Sequence, residues 1–153
     1  MFFVYNKIVQ LLKEKEIPFE ETEHEHVYTS EDASRVRGLP SARAGVKSLI
    51  FKTDAGKFIL VLVPGDSRAD TKILCLLENC KNIGLANPQE VERIAGVEIG
   101  AVGPFGLKTE LKTYLSNAVL ENEFVFFNPG LHTKTIKMRS VNLLKVLEGA
   151  VRF

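Results

Sequence analysis

A lysine inside an apolar stretch is the first residue whose type and position indicate chemistry. Lys47 lies in the run Gly45-Val46-Lys47-Ser48-Leu49-Ile50-Phe51. Because side chains alternate along a strand, Lys47 shares a face with Leu49 and Phe51. An ammonium group on an apolar face is costly unless it is paired or faces a cavity. Two interpretations stay open: a ligand-binding cation, or a lysine at a strand end whose ammonium reaches water.

A glycine-rich segment is the second candidate. The sequence Gly100-Ala101-Val102-Gly103-Pro104-Phe105-Gly106 contains three glycines and one proline, which predicts an irregular loop. Glycine allows backbone N–H groups to approach a ligand closely. Such groups can bind a carbonyl oxygen as it becomes negative during ester cleavage. The alternative is an ordinary wide turn, and the segment taken by itself favours that alternative.

Histidines and cysteines complete the candidates. His132, in a turn that begins at Asn128, could orient a ligand or shuttle a proton, or could be a surface histidine. His24 and His26 would share a strand face, but no third ligand has suitable spacing nearby, so the sequence predicts no metal. Cys75 and Cys80 are the only cysteines and are expected to be free, largely buried thiols. No serine-nucleophile or phosphate-loop motif is present, so a hydrolase of this sequence would position water and polarise an ester.

The elements that must position these residues can be predicted from periodicity. Residues 3–16 have helical spacing of apolar positions, and Pro18 follows them. Residues 19–26 are expected to form an exposed strand, followed by a short helix capped by Thr29 or Ser30. Residues 46–51 and 57–63 are expected to form a central hairpin around a glycine-containing turn.

The second half of the chain gives a further series of predicted elements. A helix is expected near residues 70–77, a strand at 82–86, and a helix that begins at Asn87-Pro88-Gln89-Glu90, which has the pattern of a capping box. Strands are expected at 124–127 and 133–138, and Ser140 is expected to cap a last helix through Leu147. The whole pattern predicts an α+β fold, with a single mixed, largely antiparallel sheet flanked by helices, as one domain over residues 1–153.

Bulk properties limit the class of protein. The formal net charge is +1, which argues against a stand-alone binder of long nucleic-acid duplexes but allows an enzyme that holds one RNA end. The longest apolar runs are too short to span a bilayer. The N-terminus lacks the layout of a signal peptide. We therefore expect a cytoplasmic protein.

The order of these segments resembles the YbaK family of free-standing editing domains, which is related to the inserted editing domain of bacterial prolyl-tRNA synthetase. The similarity runs nearly end to end, and each motif is short, so the specificity lies in their combined order and spacing. The segments that carry it are His24–Ala33, Val46-Lys47-Ser48-Leu49, Val63-Pro64-Gly65-Asp66, Gly100–Gly106 and the turn with Asn128, Gly130 and His132. The sequence departs from many members at Gly103, at Ser48 and at Thr135, so the resemblance does not specify the amino acid.

The resemblance implies an aminoacyl-tRNA deacylase without a cofactor. In this family the loop holds the aminoacyl group, and the lysine helps to position the terminal adenosine. The residues assigned to catalysis are Lys47, Gly100, Gly103 and Pro104, and those assigned to substrate binding are Tyr28, Thr29, Ser48, Ala101, Val102, Phe105, Gly130 and His132. The expected substrate is a small amino acid such as alanine, cysteine or serine, with proline tRNA as the expected carrier. The expected partners are the tRNA acceptor end and a synthetase.

Two other functions are compatible with the sequence. A protein of the same fold could bind charged tRNA or a synthetase without turnover. Alternatively, Lys47 could bind the carboxylate or phosphate of a small molecule. A tRNA end requires an open cleft with a basic rim, for which the candidate residues are Arg35, Arg37, Arg43 and Arg68.

Overall fold

The computed structural model describes residues 2–26 and 38–153. The predicted short helix after Thr29 or Ser30 lies outside these residues. The described helices are α1 (Phe3–Glu14), α2 (Thr71–Glu78), α3 (Pro88–Ala95) and α4 (Leu143–Val146), with 3-10 turns at Ala42–Ala44, Asn117–Glu121 and Ser140–Asn142. The described strands are β1 (Phe19–Glu23), β2 (Val46–Thr53), β3 (Phe58–Pro64), β4 (Ile83–Leu85), β5 (Lys112–Leu115), β6 (Phe124–Phe127), β7 (Lys134–Arg139) and β8 (Val151–Arg152).

The strands form two hydrogen-bonded sheets. One has the order β1-β7-β6 and is antiparallel throughout. The other has the order β4-β2-β3-β5-β8, with antiparallel pairs on the β2 side and parallel pairs on the β5 side. A parallel bridge between Gly45 and Phe126 links the sheets. The predicted α+β class with largely antiparallel strands is confirmed. The strands predicted to form one sheet form two sheets, which this bridge joins.

The hairpin of β2 and β3 lies at the centre of the larger sheet, as predicted. Ile50 is 3% exposed and Val61 is 0% exposed. One face of the hairpin contributes Val46, Ile50 and Leu60 to the main core, which also contains the apolar side of α1 and the inner faces of β6 and β7. The other face contributes to a smaller core under α2. The two covered faces explain why β3 is apolar along its whole length.

The main errors of the sequence analysis concern short elements. Strands β5 and β8 were not predicted, because four and two residues are too few to show a period. Ser140 does not cap the last helix: it is buried within a 3-10 turn, and its hydroxyl donates a hydrogen bond to the carbonyl of Asn122. Cys75 and Cys80 are free but only half-buried.

The start of β2 is fixed by a close approach of two backbone segments. Gly65 donates its N–H to the Gly45 carbonyl at 2.7 Å. A Cβ atom at Gly65 would lie 2.3 Å from the carbonyl oxygen of Ala42, so only glycine fits there. The Val63-Pro64-Gly65-Asp66 turn therefore sets the position at which β2 begins, one residue before Lys47.

A buried carboxylate connects α2 to the larger sheet. Glu78 is 1% exposed and receives hydrogen bonds from the Tyr114 hydroxyl, from Lys57 at 2.8 Å and from Lys112 at 2.9 Å. Burial by itself raises the pKa of Glu78, but these hydrogen bonds and the lysine charges outweigh burial and lower the pKa to about 2.

None of the helices in the described part of the chain has the length and apolar character needed to span a bilayer.

Candidate active site

The loop after α3 and the turn between β6 and β7 meet at Gly100 and His132. Gly100 is exposed and has a φ of +89°, a conformation that L side chains rarely adopt. A Cβ atom at Gly100 would lie 3.2 Å from Cε1 of His132. Glycine is therefore favoured here by conformation, and any larger residue would require the His132 ring to shift by a few tenths of an ångström. Gly100 and His132, which are far apart in the sequence, are therefore neighbours in the structure.

The Asn128 side chain holds the loop against the turn. Asn128 Nδ2 donates a hydrogen bond to the Gly100 carbonyl at 2.9 Å. A Cβ atom at Gly103 would lie 2.8 Å from the carbonyl oxygen of Asn128. The two segments thus approach at backbone distance, and the sequence analysis did not assign Asn128 a role. Its position one residue before a proline in a strand-connecting turn was the available signal.

The remaining loop residues point mainly into the protein. Ala101, Val102 and Phe105 are buried, and Phe105 packs edge-on against Phe127 with ring centres 5.6 Å apart. Gly103 and Pro104 are buried as well. Contact between a ligand and this segment would therefore involve its backbone at the exposed Gly100 end more than its apolar side chains.

Gly130 has a structural environment. Its φ is +85°, and a Cβ atom there would lie 3.1 Å from Val4 of α1 and 3.3 Å from Val97. The residue is buried between the first helix and the segment that follows α3. Gly130 thus allows the turn to pack closely and brings His132 to the loop.

Lys47 and Ser48 leave β2 on opposite faces. Lys47 is opposite Val63 and is half-buried on the face that carries Leu49 and Phe51, as the alternation predicts. Within the described residues, no carboxylate lies within ion-pair distance of Lys47. Ser48 lies on the face of the main core, opposite Leu62, and its buried Oγ has no hydrogen-bond partner among the described residues. One ligand could contact both side chains only around the end of the strand.

The bridge between the sheets relates Lys47 to the loop. Gly45 pairs with Phe126 in parallel, and each of these residues stands two positions before a residue of the candidate site. Those residues are Lys47 and Asn128, and Asn128 binds Gly100. Val102 and Phe105, in contrast, pack into the core on the other side of β2. Because Lys47, Gly100 and His132 each interrupt otherwise apolar segments, the sequence predicts that they line one cleft, and this stays a prediction.

Two residues that the sequence analysis left out of the site lie beside His132. The His26 and His132 rings are 4.1 Å apart, and Nε2 of His132 lies 3.5 Å from Oε2 of Glu98. His26, Glu98 and His132 each place one donor atom within 4.8 Å of the other two. The sequence argument against a metal considered His24 together with His26, whereas in space His26 lies near Glu98 and His132 and the His24 ring contacts Thr135. Ligands from three distant segments leave no spacing signal.

Other predicted residues differ in their accessibility. Tyr28, Thr29, Arg35 and Arg37 lie outside the described residues. Arg43 forms ion pairs with Asp66 at 3.4 Å and Glu121 at 3.2 Å, which argues for a structural role. Arg68 is exposed. Thr135 is buried, and its hydroxyl lies 2.7 Å from Nε2 of His24.

Comparison with known families identifies this arrangement. A profile described as "Aminoacyl-tRNA editing domain" matches residues 24–146, which is most of the chain and includes every segment of the candidate site. The chain belongs to the aminoacyl-tRNA editing domain family. The family predicted from the sequence and the predicted class of enzyme, an aminoacyl-tRNA deacylase, are thereby confirmed.

Relatives of this editing domain include free-standing proteins and parts of synthetases. It is 25% identical over 148 residues to the multifunctional Ser/Thr-tRNA deacylase ProXp-y of Escherichia coli, covering 94% of this chain and 88% of the relative. It is 33% identical over 139 residues to the proline–tRNA ligase of Caldicellulosiruptor bescii, covering 88% of this chain and 24% of the ligase. Among solved structures, a candidate trans-editing enzyme for prolyl-tRNA synthetase has a TM-score of 0.83 and 26% identity, covering 98% of this chain and 94% of that one.

Proposed function

We propose that this editing domain hydrolyses the ester of mischarged proline tRNA in trans and removes a small amino acid such as alanine, cysteine or serine. The similarity to proline–tRNA ligases supports the choice of tRNA. The similarity to a Ser/Thr-tRNA deacylase supports a small polar or apolar side chain and adds threonine to the candidates. We further propose that residues 1–153 act as one domain in the cytoplasm.

The need for such an enzyme has a physical basis. One methylene group in a binding pocket gives only about 1–3 kcal/mol of discrimination, so a synthetase cannot reject every small amino acid at its first site. Hydrolysis at a second site removes the products of these errors. A small editing domain that acts on the released tRNA meets this need.

The observation that carries the proposal is the geometry around Gly100. The backbone is exposed at a positive φ, and Asn128 fixes its carbonyl. The Ala101 N–H is used in a turn to the Glu98 carbonyl at 3.0 Å. Across the described residues, the Gly100 N–H donates to no backbone acceptor. The N–H of this exposed residue, beside His132, is suited to bind the ester carbonyl as negative charge develops on it.

The proposed mechanism depends on position and requires no protein nucleophile. Ester hydrolysis requires a held carbonyl, a donor for the developing oxyanion and a placed water molecule. In our proposal the loop backbone at Gly100 holds the carbonyl and His132 orients the substrate. Lys47 binds the 3′ end of the RNA, so the ester reaches the loop in register. The half-buried ammonium of Lys47 has no carboxylate partner among residues 2–26 and 38–153, which leaves it available for this contact.

A deacylation panel tests the proposal. Purified protein is incubated with alanyl, cysteinyl, seryl and threonyl esters on proline tRNA and on a non-cognate tRNA, with spontaneous hydrolysis measured in parallel. We expect at least one small amino acid on proline tRNA to be released much faster than the spontaneous rate. Binding of charged tRNA without faster release would instead identify the non-catalytic adaptor.

Substitution of Lys47 tests the mechanism. Lys47→Ala should reduce deacylation about 100-fold, because loss of a positioning contact can displace the ester by about 1 Å. Lys47→Arg should restore little activity, since a planar guanidinium does not reproduce a compact ammonium. Lys52→Ala is the matched control, because it removes a cation from the exposed end of the same strand, where Lys52 pairs with Glu90. Near-normal activity of Lys47→Ala would exclude Lys47 from the mechanism.

A further inference from the structure

The site contains a cluster of three donors, of which the proposed deacylation uses only His132. His26 follows β1, Glu98 lies in the loop after α3, and His132 lies in the turn before β7. One donor atom from each residue lies within 4.8 Å of the other two, and His132 and Glu98 are 3.5 Å apart. Glu98 is 73% exposed and His132 is 15% exposed, so the cluster opens to solvent on one side. We propose that these three residues bind a zinc-type divalent cation.

The distances are compatible with tetrahedral coordination. Zinc bonds of about 2.0–2.2 Å to nitrogen and oxygen place neighbouring ligand atoms about 3.4 Å apart. The His132–Glu98 pair already has this separation. The third atom must approach by at most about 1.4 Å. His26 and Glu98 are both exposed, so their side chains can make this movement without disturbing the core.

The donor set selects the class of ion. Two imidazoles and one carboxylate suit Zn²⁺ and its first-row neighbours, whereas Mg²⁺ and Ca²⁺ prefer sites built from oxygen. Three protein ligands leave a fourth position open to water. Gly100 leaves room for the His132 ring at the proposed cation site, because a Cβ atom there would press on that ring. A bound ion would connect the end of β1, the loop after α3 and the β6–β7 turn.

The experiment measures metal binding directly, without RNA. Untagged full-length protein is dialysed against a chelator and titrated with Zn²⁺ in competition with a metal indicator, with Mg²⁺ as the negative control. Cys75 and Cys80 are replaced by serine in this background, since their thiols are the other soft donors of the chain. We expect one equivalent of Zn²⁺ to bind with a Kd of about 1 μM or below, and Co²⁺ to give the absorption spectrum of a tetrahedral site.

Variants decide whether the binding occurs at the proposed residues. His26→Ala and Glu98→Gln should each raise the Kd more than tenfold. Both residues are exposed, so thermal unfolding of the metal-free protein should stay unchanged. His24→Ala is the matched control: His24 lies two residues from His26, but its ring nitrogens contact Thr135 and the Glu25 carbonyl. Absence of saturable binding, or equal loss in all three variants, would overturn the proposal. Because no tRNA is present, neither result affects the proposed deacylation.

Discussion

Replacement of Gly100 by alanine tests whether the contact between Gly100 and His132 affects the rate of deacylation apart from its effect on stability. The new Cβ would lie 3.2 Å from Cε1 of His132, whereas carbon atoms in ordinary contact are about 3.5–4.0 Å apart. The His132 ring must therefore move by about 0.3–0.8 Å. Because a displacement of about 1 Å can cost 100-fold in rate, we expect Gly100→Ala to reduce deacylation about tenfold. The left-handed φ of +89° adds about 1–2 kcal/mol of strain to the folded state.

Gly56 provides the matched control for this strain. Gly56 has a φ of +82°, and a Cβ atom there would have nothing within 4 Å. It lies in the turn between β2 and β3, beyond Thr53, which is about 20 Å along the strand from Lys47. Gly56→Ala should therefore lose a similar free energy of unfolding and keep its activity.

The assay pairs urea denaturation of both variants with single-turnover deacylation under conditions in which both are folded. The expected result is equal loss of stability with loss of rate in Gly100→Ala alone. If both variants keep the wild-type rate, the contact between Gly100 and His132 has no part in hydrolysis. If both lose rate equally, the effect reflects strain and not the site.

Three further substitutions test the structure by urea denaturation. Glu78→Gln should lower the free energy of unfolding by up to about 3 kcal/mol near neutral pH, because the pKa of Glu78 falls from 4.5 to about 2 on folding. This contribution is complete above the ordinary pKa and is lost as pH falls through the folded value, so a deficit that is constant between pH 7 and pH 2.5 would contradict it. Asn87→Ala should cost about 1 kcal/mol, since the Asn87 side chain accepts the Glu90 N–H at 2.8 Å, and an unchanged stability would contradict this cap. Ser48→Ala should leave the free energy of unfolding unchanged or raise it by up to about 1 kcal/mol, because the buried Ser48 hydroxyl has no partner in the described structure. A clear loss of stability would show that this hydroxyl forms a hydrogen bond in the folded protein.

The sequence was sufficient to predict the helix starts, because a helix cap depends on residues that are close together in the chain. Asn87 and Glu90 form the predicted capping box, with reciprocal hydrogen bonds at 2.8 and 3.0 Å. Asp70, the first residue of the helix predicted near residues 70–77, is the cap of α2 and accepts two backbone N–H groups. Each of these features depends on residues within four positions of one another, so the sequence displays it directly.

The parts that could not be predicted depend on contacts between distant segments. The pairing of β3 with β5 is parallel, and no residue of the four-residue β5 specifies its neighbour. The hydrogen bond from Asn128 to Gly100 and the position of Glu98 beside His132 arise only when two loops meet. Residue types named Gly100 and His132 as candidates, but periodicity alone could not place them in contact.

The pairing of β1 with β7 has a consequence for the time at which activity appears during synthesis. These strands stand near opposite ends of the chain, and Phe19 pairs with Met138. A nascent chain that has exposed β1, the Lys47 strand and the Gly100 loop still lacks the turn that carries His132 and the strand that holds β1 in place. Non-local pairing of this kind forms late, after the ends of the chain meet. The proposed site should therefore be absent on the ribosome until β7 has emerged, and products truncated before β7 should be inactive.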